Sequence, residues 1–251
     1  MPKLTAGVVK FQREVYPDRR AMFETLTQGQ KPEALFITCS DSRVDPTMVT
    51  QTEPGELFIC RNAGNIVPPH TTHTGAMTAA IEYAIGALKV PHIVVCGHSQ
   101  CGAMTGALNP DSLEDLPHTH EWLDYARAAV QIVQTRDREL SEKEKLKRLI
   151  EENVILQLTH LRSHPYVAQA LAEGTVTLRG WVYDIGTGGM RALDESRRAF
   201  VPVDELYSDL PDAQPDNLTT SMANAVRDAA AGPVGPGGGC CTHTGPGQEV
   251  T

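Results

Sequence analysis

The sequence has 251 residues, of which 31 are acidic and 22 basic, for a formal net charge of -9. This length corresponds to one or two domains, and the negative charge argues against nucleic acid or an anionic membrane as a main partner. No apolar run reaches the roughly 18 residues of a membrane span, and the first residues lack the apolar core of a secretory signal. We therefore expect a cytoplasmic protein whose six cysteines stay reduced and serve metal binding or catalysis.

Charge, glycine and proline divide the chain near residue 208. Residues 201–251 hold seven acids and one base, and the last twenty residues contain seven glycines and three prolines. Such a segment buries too little apolar surface to offset the entropy cost of ordering it. We predict a globular domain over 1–208, followed by an acidic, largely disordered tail over 209–251. The tail could bind an unknown partner, and its Cys240 and Cys241 are expected to form an exposed dithiol.

Apolar runs and helical patterns alternate along the globular part. Short apolar runs, or runs rich in β-branched residues, predict strands at Ala34–Cys39, Leu57–Cys60, Val90–Cys96, Thr175–Asp184 and Met190–Leu193. Apolar positions at helical spacing predict helices over Thr74–Leu88, 119–134 and 141–162, the last with Ser141 and Glu144 as a capping box. This order indicates an α/β fold, in which helices flank a central, mainly parallel β-sheet.

Residues suited to metal binding follow two of the predicted strands. Cys39 ends the first and is followed by Asp41 and Arg43, while a later strand leads into His98 and Cys101. Sites in such sheets lie at the carboxyl ends of the strands, so these side chains should meet at one edge. Two thiols and an imidazole suit Zn²⁺. Three protein ligands leave a fourth position open, as in catalytic sites, where water has its pKa lowered to about 7.

The sequence leaves open the role of Asp41 and that of the remaining cysteines of the globular part. Asp41 could fill the fourth position and close the site, or it could pair with Arg43 and accept a hydrogen bond from the metal-bound hydroxide. Buried cysteines can also be small hydrophobic residues with no metal, and we favour this interpretation for Cys60 and Cys96, which lie within predicted strands.

The motifs CSDSR at 39–43 and GHSQCG at 97–102 closely resemble those of the β-class carbonic anhydrases. The resemblance covers nearly the whole globular part, from KFQRE at 10–14 through EPGELFICRNAGN at 53–65 to GWVYDI at 180–185. Within the family, the sequence is most similar to bacterial enzymes of the plant-type, open-site subgroup, including those associated with cyanate metabolism.

The resemblance implies a zinc lyase that interconverts carbon dioxide with bicarbonate and a proton. One Zn²⁺ per subunit would be held by Cys39, His98 and Cys101, with Asp41 as a further ligand only in a closed state. Zinc-bound hydroxide, oriented by the dyad of Asp41 and Arg43, would attack the substrate. The alternatives are hydrolysis of carbonyl sulfide or carbon disulfide at the same site, or a non-catalytic, zinc-stabilised scaffold that acts through its tail.

Three further positions are carried over from the plant-type enzymes. Gln30 lies nine residues before Cys39, where those enzymes place a glutamine that binds substrate oxygen across a dimer interface. Phe58 and Tyr83 match aromatic positions that line their apolar substrate pocket. Phe36 stands three residues before the first zinc cysteine, where bicarbonate-regulated members carry tryptophan, so we expect the open form of the site.

The resemblance also implies a homodimer or a higher homo-oligomer in which an N-terminal helix reaches over the partner. Residues 5–28 fit this role because they carry too many apolar side chains for a helix that has no partner surface. These apolar residues are Val8, Val9, Phe11, Val15, Met22, Phe23 and Leu26.

Overall fold

Six strands and eleven α-helices, with short 3₁₀ and π-helical segments between them, form the part of the chain that the computed structural model describes, residues 1–208. The strands are β1 (Ala34–Cys39), β2 (Leu57–Asn62), β3 (His92–His98), β4 (Thr177–Tyr183), β5 (Met190–Asp194) and β6 (Ala199–Pro202). The helices are α1 (Pro2–Lys10), α2 (Tyr16–Asp18), α3 (Arg20–Leu26), α4 (Pro46–Thr50), α5 (Ala76–Glu82), α6 (Gly102–Leu108), α7 (Pro117–Leu123), α8 (Arg127–Arg136), α9 (Glu142–Arg162), α10 (Pro165–Ala172) and α11 (Val203–Leu206). None of these described helices is both long and apolar enough to span a membrane. The tail predicted over 209–251, with Cys240 and Cys241, lies outside the described residues.

The six strands form one sheet in the order β2-β1-β3-β4-β5-β6. The first four are parallel, and β5 and β6 complete the sheet as antiparallel strands. The predicted α/β fold with a mainly parallel sheet is therefore confirmed. Because β1 pairs with both β2 and β3, with Cys39 opposite Asn62 and Thr38 opposite Cys96, the carboxyl ends of these three strands lie side by side.

Side chains of β1 alternate between two clusters of buried residues. Leu35 and Ile37 belong to the main core, which also contains buried side chains of α9 such as Val154 and Leu158. Phe36 belongs to a smaller cluster on the other face of the sheet, where its ring makes an edge contact with Trp181. Burial on both faces explains why the strand is apolar throughout instead of alternating with polar residues.

Several boundaries differ from the predicted ones. The third strand begins at His92 and ends at His98, instead of covering Val90–Cys96, so His98 is the last residue of β3. The helix predicted over Thr74–Leu88 begins at Ala76, and its last turn, Tyr83–Ala87, is π-helical. Strand β6 was not predicted, because four residues at the edge of a sheet give too short a pattern to distinguish from a loop.

The capping box at the start of α9 is confirmed. Ser141 Oγ accepts a hydrogen bond from the Glu144 backbone N–H, and Glu144 Oε2 accepts one from the Ser141 N–H at 3.0 Å. We expect Ser141→Ala to lower the free energy of unfolding by about 1 kcal/mol, measured by urea denaturation. Ser196→Ala, in an exposed turn where the hydroxyl donates to Asp194, is the matched control. Equal losses in the two variants would contradict a contribution from the cap.

The N-terminal helices expose most of their apolar side chains. No residue of α1, α2 or α3 is buried, and Val8, Phe11 and Val15 are among the exposed large apolar residues. The rings of Phe11, Tyr16 and Phe23 pack on one another instead of on the main core. That these helices cover a second copy of the chain stays a prediction.

Candidate metal centre

Cys39, His98 and Cys101 meet at the carboxyl edge of the sheet. Cys39 ends β1, His98 ends β3, and Cys101 stands at the N-cap of α6. The two sulfur atoms lie 4.0 Å apart, and the three possible ligand atoms all lie within 4.8 Å of one another. All three side chains are buried. The structure thus brings together, from distant parts of the chain, the three residues that the sequence singled out as metal ligands.

The imidazole of His98 is oriented toward the two sulfur atoms. Its Nδ1 lies 2.9 Å from the Ser99 carbonyl oxygen, and a proton donated there leaves a lone pair on Nε2. Nε2 is buried and has no hydrogen-bond partner among the described residues. A buried nitrogen acceptor without a partner is costly, and two sulfur atoms beside it complete a donor set that suits Zn²⁺. The residues present therefore fit the metal that the family resemblance implies.

The two thiols differ in how readily they carry a negative charge. The pKa of Cys39 is lowered to about 4, mainly by a hydrogen bond with Cys101 and also by one from the Gly64 N–H, which together outweigh burial. The pKa of Cys101 is raised by the same bond and by burial. By contrast, burial raises the pKa of Cys96 to about 12, as expected for a cysteine that only packs in a strand. The charged sulfur needed for metal binding is thus favoured in this cluster.

Asp41 and Arg43 form a bidentate ion pair beside the three ligands. Arg43 Nε donates to Asp41 Oδ1 at 2.9 Å, and Nη2 donates to Oδ2 at 2.7 Å. The guanidinium holds the pKa of the Asp41 carboxyl well below its usual range. Oδ2 lies 3.9 Å from His98 Nε2. The carboxylate is therefore ionised, paired with Arg43 and adjacent to the candidate metal ligands, while the open form of the site stays a prediction.

The turn that carries these residues is held by an arginine to which the sequence patterns assigned no role. Arg61, on β2, donates from Nε to the Cys39 carbonyl at 3.0 Å and from Nη2 to the Asp41 carbonyl at 2.7 Å. Gln100, with a φ of 56° in the left-handed region, accepts from Arg43 through its own carbonyl at 3.1 Å. The register between β1 and β2 brings Arg61 to this position, and only the assembled sheet reveals that register.

Gln30, Phe58 and Tyr83 are not brought to the metal ligands of their own chain. Phe58 lies opposite Leu35, four residues before Cys39 along β1, which corresponds to about 13 Å of strand. Its ring contacts the ring of Tyr83 at a centroid distance of 5.9 Å, and Tyr83 is half exposed. Gln30 precedes β1 at its N-terminal end. The three residues therefore lie toward the opposite end of the strands from the metal ligands.

Comparisons with known proteins agree with this fold and site. The family model for carbonic anhydrase matches residues 34–190. A carbonic anhydrase of Pseudomonas aeruginosa is 48% identical over 205 residues, covering 82% of this chain and 93% of that protein. The structure of the β-carbonic anhydrase CcaA has a TM-score of 0.79 and 41% identity, covering 80% of this chain and 98% of that one. A tetrameric β-carbonic anhydrase of Sordaria macrospora has a TM-score of 0.64 and 34% identity, covering 77% and 93%. The chain therefore belongs to the carbonic anhydrase family, in its β class.

Proposed function

We propose that this enzyme catalyses the reversible hydration of carbon dioxide to bicarbonate and a proton, with one Zn²⁺ per subunit held by Cys39, His98 and Cys101. The observation that carries the proposal is the buried Nε2 of His98, which has no hydrogen-bond partner within residues 1–208 and lies with two sulfur atoms inside a 4.8 Å cluster. The chemistry that such an ion supplies is Lewis acidity, which lowers the pKa of water to near neutrality. The neighbouring residues of the chain then decide how the nucleophile is held.

Asp41 is the catalytic residue in this proposal, and Arg43 positions it. An ionised carboxylate only accepts hydrogen bonds. A nucleophile that donates a hydrogen bond to Asp41 must therefore point a lone pair away from the carboxylate and toward the substrate. Arg43 fixes the carboxylate through two hydrogen bonds, and the Gln100 carbonyl holds Arg43 in turn. Preorganised partners of this kind stabilise a transition state without having to move during the reaction.

We also propose that Gln30, Phe58 and Tyr83 complete the substrate pocket of a second copy of the chain. Within one chain Phe58 lies about 13 Å of strand away from the level of Cys39. Its ring contacts that of Tyr83, which is half exposed. Apolar rings suit carbon dioxide, which offers little to a hydrogen-bond donor. The tetrameric relative from Sordaria macrospora supports a homo-oligomer of at least two chains.

Mixing two impaired variants tests this arrangement. Cys101→Ser removes a metal ligand, and Gln30→Ala removes a residue of the proposed pocket. If each site draws its metal ligands from one chain and Gln30 from the other, a mixed dimer contains one site with every wild-type residue. We expect the co-refolded mixture to exceed the summed activity of the two separate variants. A mixture that never exceeds this sum would contradict a shared site.

We also propose a cytoplasmic location, because the proposed metal site needs reduced thiols. Reduced thiols persist in the cytosol, where glutathione and thioredoxin oppose disulfide formation. Oxidation of Cys39 or Cys101 would remove a metal ligand, since the thiolate form is the one that binds.

Stopped-flow hydration of carbon dioxide, on protein whose zinc content has been measured, tests the proposed function. We expect a rate far above buffer at one zinc per chain. Carbonyl sulfide and carbon disulfide, assayed on the same preparation, separate hydration from hydrolysis of these substrates. A preparation with full zinc and no rate above buffer on any of the three would instead favour a non-catalytic scaffold.

A further inference from the structure

One backbone amide group lies between a tryptophan and a metal-ligand sulfur. The amide joins Ala63 to Gly64, directly after β2. Its N–H donates to Cys39 Sγ at 3.4 Å, and its carbonyl oxygen accepts from Trp122 Nε1 at 2.9 Å. The N–H and C=O of a trans peptide point in opposite directions. The indole, the amide and the sulfur therefore form a continuous chain of hydrogen bonds, in which each bond polarises the next.

The surroundings of Gly64 fix the position of this amide. Gly64 has a φ of 79°, in the left-handed region that favours glycine. A Cβ at this position would lie 2.8 Å from Met104 Cε and 3.3 Å from Ala103 Cβ, so the backbone here is packed directly against α6, the helix that follows Cys101. The amide therefore has little freedom to move toward or away from the sulfur.

The next peptide is held by two buried amide side chains of α9. Asn153 Nδ2 donates to the Gly64 carbonyl at 3.0 Å, and Gln157 Nε2 donates to Asn153 Oδ1 at 2.8 Å. Gln157 Oε1 in turn accepts from the Val67 N–H at 2.8 Å. Asn153 and Gln157 are both buried. These contacts hold the segment after Gly64, whereas Trp122 is the side chain that bonds the amide facing Cys39.

We propose that Trp122 is a positioning residue for the metal thiolate of Cys39, acting through the Ala63–Gly64 amide. The inference rests on the proposed metal site. Hydrogen bonds to ligands tune the electron density that a ligand gives to its metal, and removing such a partner typically lowers metal affinity about 10- to 100-fold. The indole N–H both orients the amide and, by polarising it, strengthens the bond that its N–H donates to the sulfur.

The two tryptophans of the chain provide a matched pair for the test. Trp122→Phe keeps an aromatic ring and removes the N–H donor. Trp181→Phe makes the same change where Nε1 is buried but has no hydrogen-bond partner among the described residues, on the opposite face of the sheet beside Phe36. Both variants and the wild type would be loaded with Co²⁺, whose sulfur-to-cobalt charge-transfer band reports the electron density on the ligand sulfurs. Zinc affinity would be measured by competition with a chromophoric chelator.

We expect Trp122→Phe to move the charge-transfer band to longer wavelength, because the sulfur loses part of its hydrogen bond and becomes a stronger donor. Zinc affinity should nevertheless fall about 10-fold in this variant, because the amide no longer holds the sulfur in position; this is the lower end of the range for partners bonded directly to a ligand. Trp181→Phe should leave the band unmoved and the affinity within about twofold of wild type, well below the effect of losing such a partner. If Trp122→Phe does not fold, benzothienylalanine at position 122 keeps a bicyclic ring and lacks the N–H.

The other possible results contradict either the role of Trp122 or the proposed metal site. An unmoved band and an unchanged affinity in the Trp122 variant would overturn the inference, and so would equal shifts in both tryptophan variants, which would indicate a general packing effect. Absence of a sulfur-to-cobalt band in the wild type would instead overturn the proposed metal site. The failure of the inference and the failure of the proposed function are thereby distinguishable.

Discussion

Replacing Asp41 by asparagine is expected to lower kcat for carbon dioxide hydration by about 10²- to 10³-fold, the loss typical of removing one preorganised hydrogen-bond partner of the reacting group. Asparagine has nearly the same size, but it is neutral and carries N–H donors, so it can no longer act only as an acceptor. Arg43 also loses the charge that it now pairs with through two hydrogen bonds. Stopped-flow kinetics on zinc-quantified protein would measure the change.

Asp45→Asn is the matched control for this substitution. Asp45 is four residues away, and the pKa of its carboxyl is also lowered, first by the Thr47 hydroxyl and then by the Met48 N–H. Its carboxylate caps α4, a role that asparagine fills about as well. We expect little change in kcat for this variant. Full activity in Asp41→Asn, or an equal loss in Asp45→Asn, would contradict the role assigned to Asp41.

Cys101→Ser should abolish stable zinc binding and, with it, the hydration activity. Zinc binds to sites with four protein ligands with a free energy of about 10–16 kcal/mol. Each ligand therefore contributes a factor on the order of 10² to 10³ to the zinc affinity. A serine hydroxyl does not replace the sulfur, because it stays protonated near neutral pH. Zinc content after gel filtration and the stopped-flow rate would both be measured.

The control for this variant is Cys96→Ala. Cys96 is fully buried in β3, and its pKa of about 12 marks it as a thiol that only packs. Its removal should cost on the order of 1 kcal/mol of stability for the lost volume and leave the zinc content unchanged. Retention of one zinc per chain by Cys101→Ser, or loss of zinc by Cys96→Ala, would show that the ligands have been assigned incorrectly.

The sequence patterns predicted those elements whose bounds are set by residues that are neighbours along the chain. The bounds of β1 in the structure are the same as the predicted ones, because an apolar run between polar segments has one obvious beginning and end. The cap of α9 agrees because Ser141 and Glu144 make the contacts that their spacing predicts. The π-helical turn at Tyr83–Ala87 could not be predicted, since a single turn at the end of a helix has too few residues to distinguish its period from that of an α-helix.

The clustering of the three candidate metal ligands could be predicted, but several of the contacts that support them could not. Cys39, His98 and Cys101 carry side chains with distinctive chemistry at the ends of predicted strands. The amide between Ala63 and Gly64 has no such signal, because every residue provides a backbone amide and only the fold decides which one faces a sulfur. For the same reason, no sequence pattern predicts the hydrogen bond from the Trp122 indole to that amide.

The residues carried over from the family resemblance form two groups, according to whether a single chain brings them to the site. Asp41 and Arg43 lie together because only Ser42 separates them along a single turn. Gln30 and Phe58 depend on how a second copy packs, which no pattern within one sequence encodes. Their distance from the metal ligands along the strands is therefore expected for a site shared between chains.

Removal and return of the metal tests most directly the claim that the cluster of Cys39, His98 and Cys101 is the catalytic centre. Dialysis against dipicolinate should give a folded, metal-free chain without hydration activity. Titration with Zn²⁺ should restore the rate linearly, with a break at one ion per chain. A metal-free chain that keeps its rate, or a natively folded chain that binds one zinc per chain and regains no activity, would contradict it.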